Sequence, residues 1–417
     1  MMSIAPALEN ASTLSLHDRL LRFNEFGKET SHSLMMSEES NSVPVYENEF
    51  WTSKQRAANR LHEISYRACF KPQLPRFFIE RLTKPGDVVF DPFMGRGTTL
   101  LEAALLRRVP SGCDANPLCQ KLIAPRLNPP TISEVERRLA EINFDADAKM
   151  PKDLLAFYHS HTLQQICALR SYLFERAKSG LLDSVDEWIQ MVALNRLTGH
   201  SPGFFSVYTM PPNQAVSIES QLRINKRLGQ KPEFRSVPDL ILAKTKSLIG
   251  NLSDAERTVL RGSGAKAEIL VRSCELLPEI SDDSINLVVT SPPFLNVVDY
   301  ANDNWLRNWF VGMDENAAQF VIHKKLADWE ASMERVLLEL HRILQPGGWI
   351  AFEVGEIQRG KIQLEDSVIS AGKAAGLEPE LVLINSQQFT KTANCWGVRN
   401  NDLGTNTNRV VLFQKSF

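Results

Sequence analysis

Two short strings, far apart in the chain, carry the side chains best suited to chemistry. They are Asp91-Pro92-Phe93-Met94-Gly95-Arg96-Gly97-Thr98-Thr99 and Thr290-Ser291-Pro292-Pro293-Phe294. In the first, an apolar run ends in a carboxylate, and two glycines follow that let the backbone turn tightly and approach a ligand closely. A helix starting near Thr98 would point unpaired N–H groups at a carboxylate or another anion. A GxxxxGK[ST] phosphate loop is absent, and the spacing is not the GxGxxG of a dinucleotide site. The string therefore reads as a place to hold a nucleoside-bearing cofactor, with Asp91 where a parallel strand opens onto the ligand crevice. Asp114, at the end of the next strand, suits ribose hydroxyls; a solvent-exposed aspartate is the plain alternative.

The second string suits a planar base bearing an amino group. Two prolines fix φ and remove N–H donors, which leaves the carbonyls of Ser291 and Pro292 as acceptors. An amine conjugated to a ring is a poor nucleophile because its lone pair is delocalised. Two acceptors out of the ring plane draw nitrogen toward sp³ and free that pair for in-line attack, by orientation and electrostatics alone. Phe294 supplies a face for stacking, and a base in duplex DNA reaches such a corner only when flipped out. An ordinary strand-to-loop corner is the alternative for this string by itself. Together the two strings imply methyl transfer from S-adenosylmethionine to an exocyclic amine.

These residues need elements to hold them. Val88-Val89-Phe90 reads as a strand buried on both faces of a parallel sheet. The spacing predicts a helix over 98–107, with Arg107 and Arg108 suited to its negative end, and a strand over 111–114. That strand–helix–strand unit opens a doubly wound α/β domain. Helices are expected over 133–142, 162–177 and 185–197, then a turn-rich stretch through Gln214. Strands resume at 269–272 and 285–290. A helix over 329–344 is broken by Gln345-Pro346-Gly347-Gly348 before a strand over 349–354. A helix over 366–375 and strands at 381–384 and 409–414 complete the pattern. The expected fold class is α/β, a Rossmann-like S-adenosylmethionine-dependent methyltransferase sheet with a largely helical insertion. The expected organisation is a flexible segment 1–47, with a short helix within 14–26 and a flexible 31–41. A catalytic domain of 48–130 and 267–417 follows, interrupted by the insertion 131–266.

Composition narrows the class. The chain has 417 residues, 43% of them hydrophobic and 23% charged, as expected for a globular protein with a substantial core. A net charge of −2 gives no global attraction to nucleic acid, so any such surface must be local. Cys69, Cys113, Cys119, Cys167, Cys274 and Cys395 form no CxxC pair, which argues against a structural zinc site or a disulfide framework and fits a reducing cytoplasm. No apolar run reaches the roughly 20 residues of a membrane span, and the first residues lack the basic-then-apolar order of a signal peptide. A soluble cytoplasmic protein is expected.

The chain resembles the amino-group DNA methyltransferases of the N4-cytosine/N6-adenine class. The resemblance rests on DPFxGxGTT at Asp91–Thr99, the acidic strand end at Asp114, the corner Ser291-Pro292-Pro293-Phe294 and Pro346-Gly347-Gly348. It covers about residues 50–130 and 267–417. It implies S-adenosylmethionine held by Asp91, Pro92, Phe93, Gly95, Gly97, Thr98, Thr99 and Asp114, with Phe70-Lys71-Pro72 packing against its methionine end. It also implies Ser291, Pro292, Pro293 and Phe294 as the catalytic residues. Serine first in the corner resembles the N4-cytosine type, where aspartate or asparagine is usual for N6-adenine. The motif order resembles the subgroup with its target-recognition region between the motifs. One departure lies at Arg272-Ser273-Cys274: the family often has aspartate there for the cofactor's adenine amine, and Ser273 is the substitute expected to accept that bond. The implied partners are double-stranded DNA and a cognate restriction endonuclease. N6-adenine and RNA guanine-N2 methylation, and a cofactor-binding protein without catalysis, stay open.

DNA reading falls to the insertion. Between Arg196 and Lys246 there are eight Lys or Arg (196, 223, 226, 227, 231, 235, 244, 246) against three acids, a net of +5 that suits phosphate contacts. Asn213, Gln214, Gln221 and Asn225 offer base-edge hydrogen bonds; a solvated helical face is the alternative. A polar stretch from Gln387 through Asn394, Trp396, Asn400 and Asn408 to Arg409 either lines the DNA cleft or forms a bonded loop. Asp299 and Tyr300 either support the base pocket or begin a helix that buries Trp305 and Trp309.

Overall fold

The computed structural model describes residues 14–36, 42–52, 58–67, 69–210, 214–293, 300–313, 325–354, 356–357, 362–386 and 407–417. In chain order the elements begin with α1 (Leu16–Leu21), β1 (Ser31–Met36), β2 (Ser42–Asn48), α2 (Gln73–Leu82), β3 (Val88–Asp91), α3 (Thr98–Leu105), β4 (Val109–Asp114) and α4 (Leu118–Leu127). A helical run follows: α5 (Ile132–Glu141), α6 (Ser160–Lys178), α7 (Ser184–Leu194), α8 (Ile218–Leu228), α9 (Val237–Ile249) and α10 (Asp254–Gly264). Then come β5 (Glu268–Val271), β6 (Ile285–Thr290), α11 (Tyr300–Asp303), α12 (Trp305–Val311) and α13 (Leu326–Ile343). The last are β7 (Leu344–Val354), β8 (Glu356–Ile357), β9 (Ile362–Gln363), α14 (Leu364–Ala374), β10 (Glu378–Ser386) and β11 (Thr407–Gln414). The architecture is α/β.

The chain divides into two compact units, one of residues 1–54, 278–292 and 327–417, the other of 55–277 and 293–326. The helical residues 131–266 fall in the same compact unit as the glycine string. Leu100, Leu118 and Ile123, from the helices beside the glycine string, share one core with Leu163, Trp188 and Ile189 from α6 and α7. A helix whose apolar face meets the domain's own helices gains more by joining their core than by building a small one of its own.

In the glycine-string unit, β3, β4 and β5 are parallel neighbours. The crossover from β3 to β4 is α3, the strand–helix–strand unit that the sequence implies. Arg108 takes up the end of α2, its guanidinium donating to the carbonyls of Ile79 and Thr83 and to Thr83 Oγ1. Its role is thus at the helix before the strand, as well as at Leu106 after α3. Of the insertion's helices, α5, α6 and α7 follow the apolar spacing, whereas α8, α9 and α10 were not legible as separate elements. Capping serines at 217, 236 and 253 mark their starts.

In the other unit the strands run in the order β1-β2-β10-β11-β7-β6. β6 and β7 are parallel, β11 is antiparallel to β7 and β10, and β2 is parallel to β10. The expected flexible segment 31–41 is corrected for 31–36, which form β1, paired along its length with β2. Its residues, Ser-His-Ser-Leu-Met-Met, are mostly exposed and do not alternate polar with apolar, so they carry no strand signal of their own; pairing supplies the order. Pro346-Gly347-Gly348 does not precede the strand but lies inside β7 as an irregularity. Ile285 and Leu287 of β6 face Leu344 and Trp349, so five residues of β7 spend the length of two. Gly347 takes φ +74° there and donates its N–H to the carbonyl of Lys415, whose own N–H returns to Gly348.

Candidate active site

The glycine turn is built by backbone geometry. Asp91 closes β3 with its carboxylate buried, and one oxygen accepts the N–H of Phe93 at 3.1 Å. It therefore shapes the loop directly. Pro92 is buried and its carbonyl accepts from Cys113 Sγ, while Phe93 remains partly exposed. Gly97 has φ +73°, and a Cβ there would lie 2.5 Å from Ile123 Cγ1 of α4. Gly112, opposite Asp91 in the ladder, is as constrained: its Cβ would meet the Asp91 carbonyl at 2.8 Å. Asp114 closes β4 and accepts two backbone N–H groups, from Gly95 at 2.9 Å and Asn116 at 2.8 Å. Burial raises its pKa, and those two donors oppose the rise. Asn116 in turn donates to the Tyr66 hydroxyl at 3.0 Å.

Arg96, between the two glycines, ties the turn to the segment ahead of α2. Its buried guanidinium donates to the carbonyls of His62, Ile64 and Phe70, and its Nε to Thr98 Oγ1. Phe70, Lys71 and Pro72 are thereby fastened beside the glycine turn, with Pro72 opening α2 and the Lys71 carbonyl accepting from Leu74. A second buried arginine, Arg126 of α4, donates to the carbonyls of Arg96, Leu61 and Leu122. Burial and then the neighbouring Arg96 push the Arg126 pKa down to about 9. Two guanidiniums bound to carbonyls give this turn a positive potential that favours an anion. Neither Arg96 nor Arg126 carried a role in the sequence; an arginine flanked by two glycines is the signal that was there to use.

The serine corner belongs to the other unit and works by a proton network. β6 ends at Thr290, paired with Phe352 of β7, so Ser291 follows at the carboxyl ends of two parallel strands. The Ser291 hydroxyl donates to the carboxylate of Glu353. Asn408, at the start of β11, donates its side-chain N–H to Glu353 Oε1 at 2.5 Å. Glu353 is buried, and burial lifts its pKa to about 7 against the pull of Asn408 and Ser291. Sequence reading missed Glu353, because a glutamate within an apolar strand has no motif of its own. Pro292 is buried, and Pro293 is partly exposed. Phe294 and Asp299 lie outside the described residues.

A family model described as DNA methylase, of the N6/N4 amino-methyltransferase kind, matches residues 21–124. That segment is about a quarter of the chain, and over it the chain is similar to the amino-group DNA methylases. Two curated relatives extend the likeness. The Type II methyltransferase M.BsoBI of Geobacillus stearothermophilus is 24% identical over 60% of this chain and 52% of its own length. The Type II methyltransferase M.MvaI of Kocuria varians is 24% identical over 58% of this chain and 54% of its own. The chain thus spans about half the length of these relatives. A Thermus thermophilus protein solved with S-adenosyl-L-methionine is 19% identical over 34% of this chain and 53% of that one, with a TM-score of 0.22.

The glycine-string residues fit S-adenosylmethionine, the cofactor that the sequence implies. Gly97 caps α3 without a side-chain hydrogen bond to its first turn. That turn and the Arg96 guanidinium suit the cofactor's carboxylate. Asp114 uses one N–H per carboxylate oxygen, and each oxygen retains acceptor capacity for ribose hydroxyls. Thr98 and Thr99 are buried in α3. Ser273 is exposed just after β5, whose Val271 pairs with Asp114, so it stands at the neighbouring strand end. Its hydroxyl accepts from Glu275 N–H at 3.4 Å.

Several residues expected to read DNA are spent on the chain's own structure. Gln221 is buried and donates to the Tyr208 carbonyl and to Asn225, which itself donates to the Ala156 carbonyl. Gln214 accepts from Arg67. Arg235 binds the carbonyls of Ser201, Phe204 and Ser206, and Arg196 lies over the Phe204 ring at 4.1 Å. Lys244 and Lys246 pair with Glu63 and Glu136. Asn408 serves Glu353, and Arg409 pairs with Glu365. Trp305 and Trp309 are only partly buried; Leu306 and Phe310 are the core residues of α12. Asn213 and residues 387–406 lie outside the described residues. No described helix is long and apolar enough to cross a membrane.

Proposed function

We propose that the chain methylates the N4 amine of a flipped-out cytosine in duplex DNA, using S-adenosylmethionine. The observation that carries this reading is Ser291, first residue of the Ser-Pro-Pro corner, bonded to the buried carboxylate of Glu353. The cofactor, when bound, supplies an electrophilic methyl group. The proposed catalytic residues are Ser291, Pro292, Pro293 and Phe294, with Phe294 as the stacking face. The carbonyls of Ser291 and Pro292 accept hydrogen bonds from the amine and hold its lone pair out of conjugation. Glu353 and Asn408 fix the orientation of the Ser291 hydroxyl. An amine that gains a methyl must lose a proton, and Ser291 with ionised Glu353 behind it forms a path for that proton. The cofactor half of the reading uses Phe70, Lys71, Pro72, Asp91, Pro92, Phe93, Gly95, Gly97, Thr98, Thr99, Asp114 and Ser273.

The Type II methyltransferase names of the relatives support a site-specific enzyme, and we propose that it works in the cytoplasm alongside a cognate restriction endonuclease. The test is incubation of the purified protein with S-adenosylmethionine and unmethylated bacterial DNA, then digestion and mass spectrometry of the nucleosides. N4-methylcytosine is the expected product. N6-methyladenine would sink the cytosine assignment while keeping the site, and a modified guanine in RNA alone would sink the polymer.

A further inference from the structure

The basic excess between Arg196 and Lys246 is not one surface. Arg196, Arg235, Lys244 and Lys246 are turned to internal carbonyls, a ring or carboxylates, as described above. Arg223, Lys226, Arg227 and Lys231 are exposed, and all four lie on α8 or within the turn that follows it. Arg223 donates to Ser220 Oγ on its own helix, and among the described residues none of the four makes an ion pair.

The helix is oriented by its opposite side. Gln221 is fully buried and Asn225 half-buried, and both are bonded to the carbonyls of Tyr208 and Ala156. Gln230, past the helix end, bonds the Tyr208 carbonyl as well. Spacings of three and four put Arg223, Lys226 and Arg227 on one face, across the helix from Gln221. Gly229 ends the helix at φ +59°, and Lys231 continues the row. Leu222, 53% exposed, borders that face, and Glu219 is its one acid, a turn before the basic row. The side-chain amides that a base could be read with are thus consumed in holding the helix, while the cations are left outward. This arrangement suits the sugar-phosphate backbone better than base edges.

We propose that the outward face of α8, Arg223, Lys226, Arg227 and Lys231, is a phosphate-tracking contact to duplex DNA. It positions the substrate and does not read its sequence. The inference rests on the DNA-methylating function proposed above and names the surface that serves it. Each phosphate neutralised adds about 0.9 to the slope of log affinity against log salt, so four contacts account for a slope of about 3 to 4.

The experiment compares the full chain with the quadruple variant Arg223→Gln, Lys226→Gln, Arg227→Gln, Lys231→Gln. A control removes the same charge from exposed Arg137, Lys149, Lys152 and Lys178. Affinity for duplex DNA carrying and lacking the methylated site is measured from about 50 to 200 mM salt, and S-adenosylmethionine affinity alongside. The α8 variant is expected to lose about 3 units of salt slope, to weaken binding roughly 100-fold at the lowest salt, and to lose the same factor on both duplexes. Cofactor affinity and melting temperature should not move. Equal losses in the control would make the effect one of net charge and overturn the proposal. So would an α8 variant with wild-type affinity and slope, which leaves the DNA-methylating reading standing. Loss on the site-bearing duplex alone would make the face a sequence reader and overturn the phosphate assignment. A wild-type protein that binds no duplex DNA would bring down both inferences together.

Discussion

The glycine string and the serine corner are held by different physics. Around the glycine string, position is set by what cannot fit: Gly97 has no room for a Cβ beside Ile123, and Gly112 has none beside the Asp91 carbonyl. The charges there, Arg96 and Arg126, are fixed cations bonded to carbonyls. Around the serine corner, position is set by a carboxyl whose proton is exchangeable near neutral pH. A site made by steric exclusion is insensitive to pH but intolerant of one added methyl. A site made by a buried acid tolerates small changes of shape but not of protonation.

The largest expected loss comes from breaking the steric half. Gly97→Ala forces an alanine into the left-handed region and a Cβ into Ile123, together costing about 2 to 5 kcal/mol. S-adenosylmethionine affinity, measured by calorimetry, should fall in proportion, by the same factor at pH 6 and pH 8.5. A pH-dependent loss would contradict the comparison.

Ser291→Ala should lower the methylation rate about 10²- to 10³-fold, the usual cost of removing one group that orients a reacting centre. Cofactor affinity should stay within about twofold of wild type, since Ser291 is assigned to the amine. Equal damage to both would mean the halves are not separable.

Glu353→Gln sharpens the comparison through pH. With the carboxyl lifted to about 7, the wild-type single-turnover rate should rise with pH through about 7 and then level. The glutamine variant should lose that limb and run about 10- to 100-fold slower on the plateau. A limb that survives the substitution would assign it to another group.

The last effect is on stability, and its sign is opposite to the loss of rate. The folded pKa of Glu353, about 7, lies above the ordinary 4.5, so the folded chain holds an extra proton between those values. Its contribution to stability is present below about 4.5, falls as pH rises, and is gone above about 7, a change of about 3 kcal/mol at most. Glu353→Gln should therefore unfold at higher denaturant than wild type at pH 8.5, and near-equally at pH 4.5. A variant less stable at pH 8.5 would mean that the hydrogen bonds of Asn408 and Ser291 outweigh burial of the charge.

The sequence by itself determined the local parts of this protein. Val88–Phe90 announced a buried strand because parallel strands are apolar on both faces. The string at Asp91–Thr99 announced a turn because glycine acts on its own φ angle, whatever surrounds it. Apolar spacing located α5, α6 and α7 for the same reason. Tertiary structure decided what depends on distant partners. Residues 31–36 became β1 only by pairing with β2, and the 131–266 helices joined the core of the glycine-string unit because α4 and α7 present apolar faces to each other. Which arginines of the basic stretch face outward was set by the carbonyls of residues 201–206, which no spacing rule places near Arg235. Glu353 acquired its chemistry in the same way: a lone glutamate in a strand becomes an acid titrating near neutrality only when tertiary burial removes its water, against the opposing pull of Asn408 and Ser291.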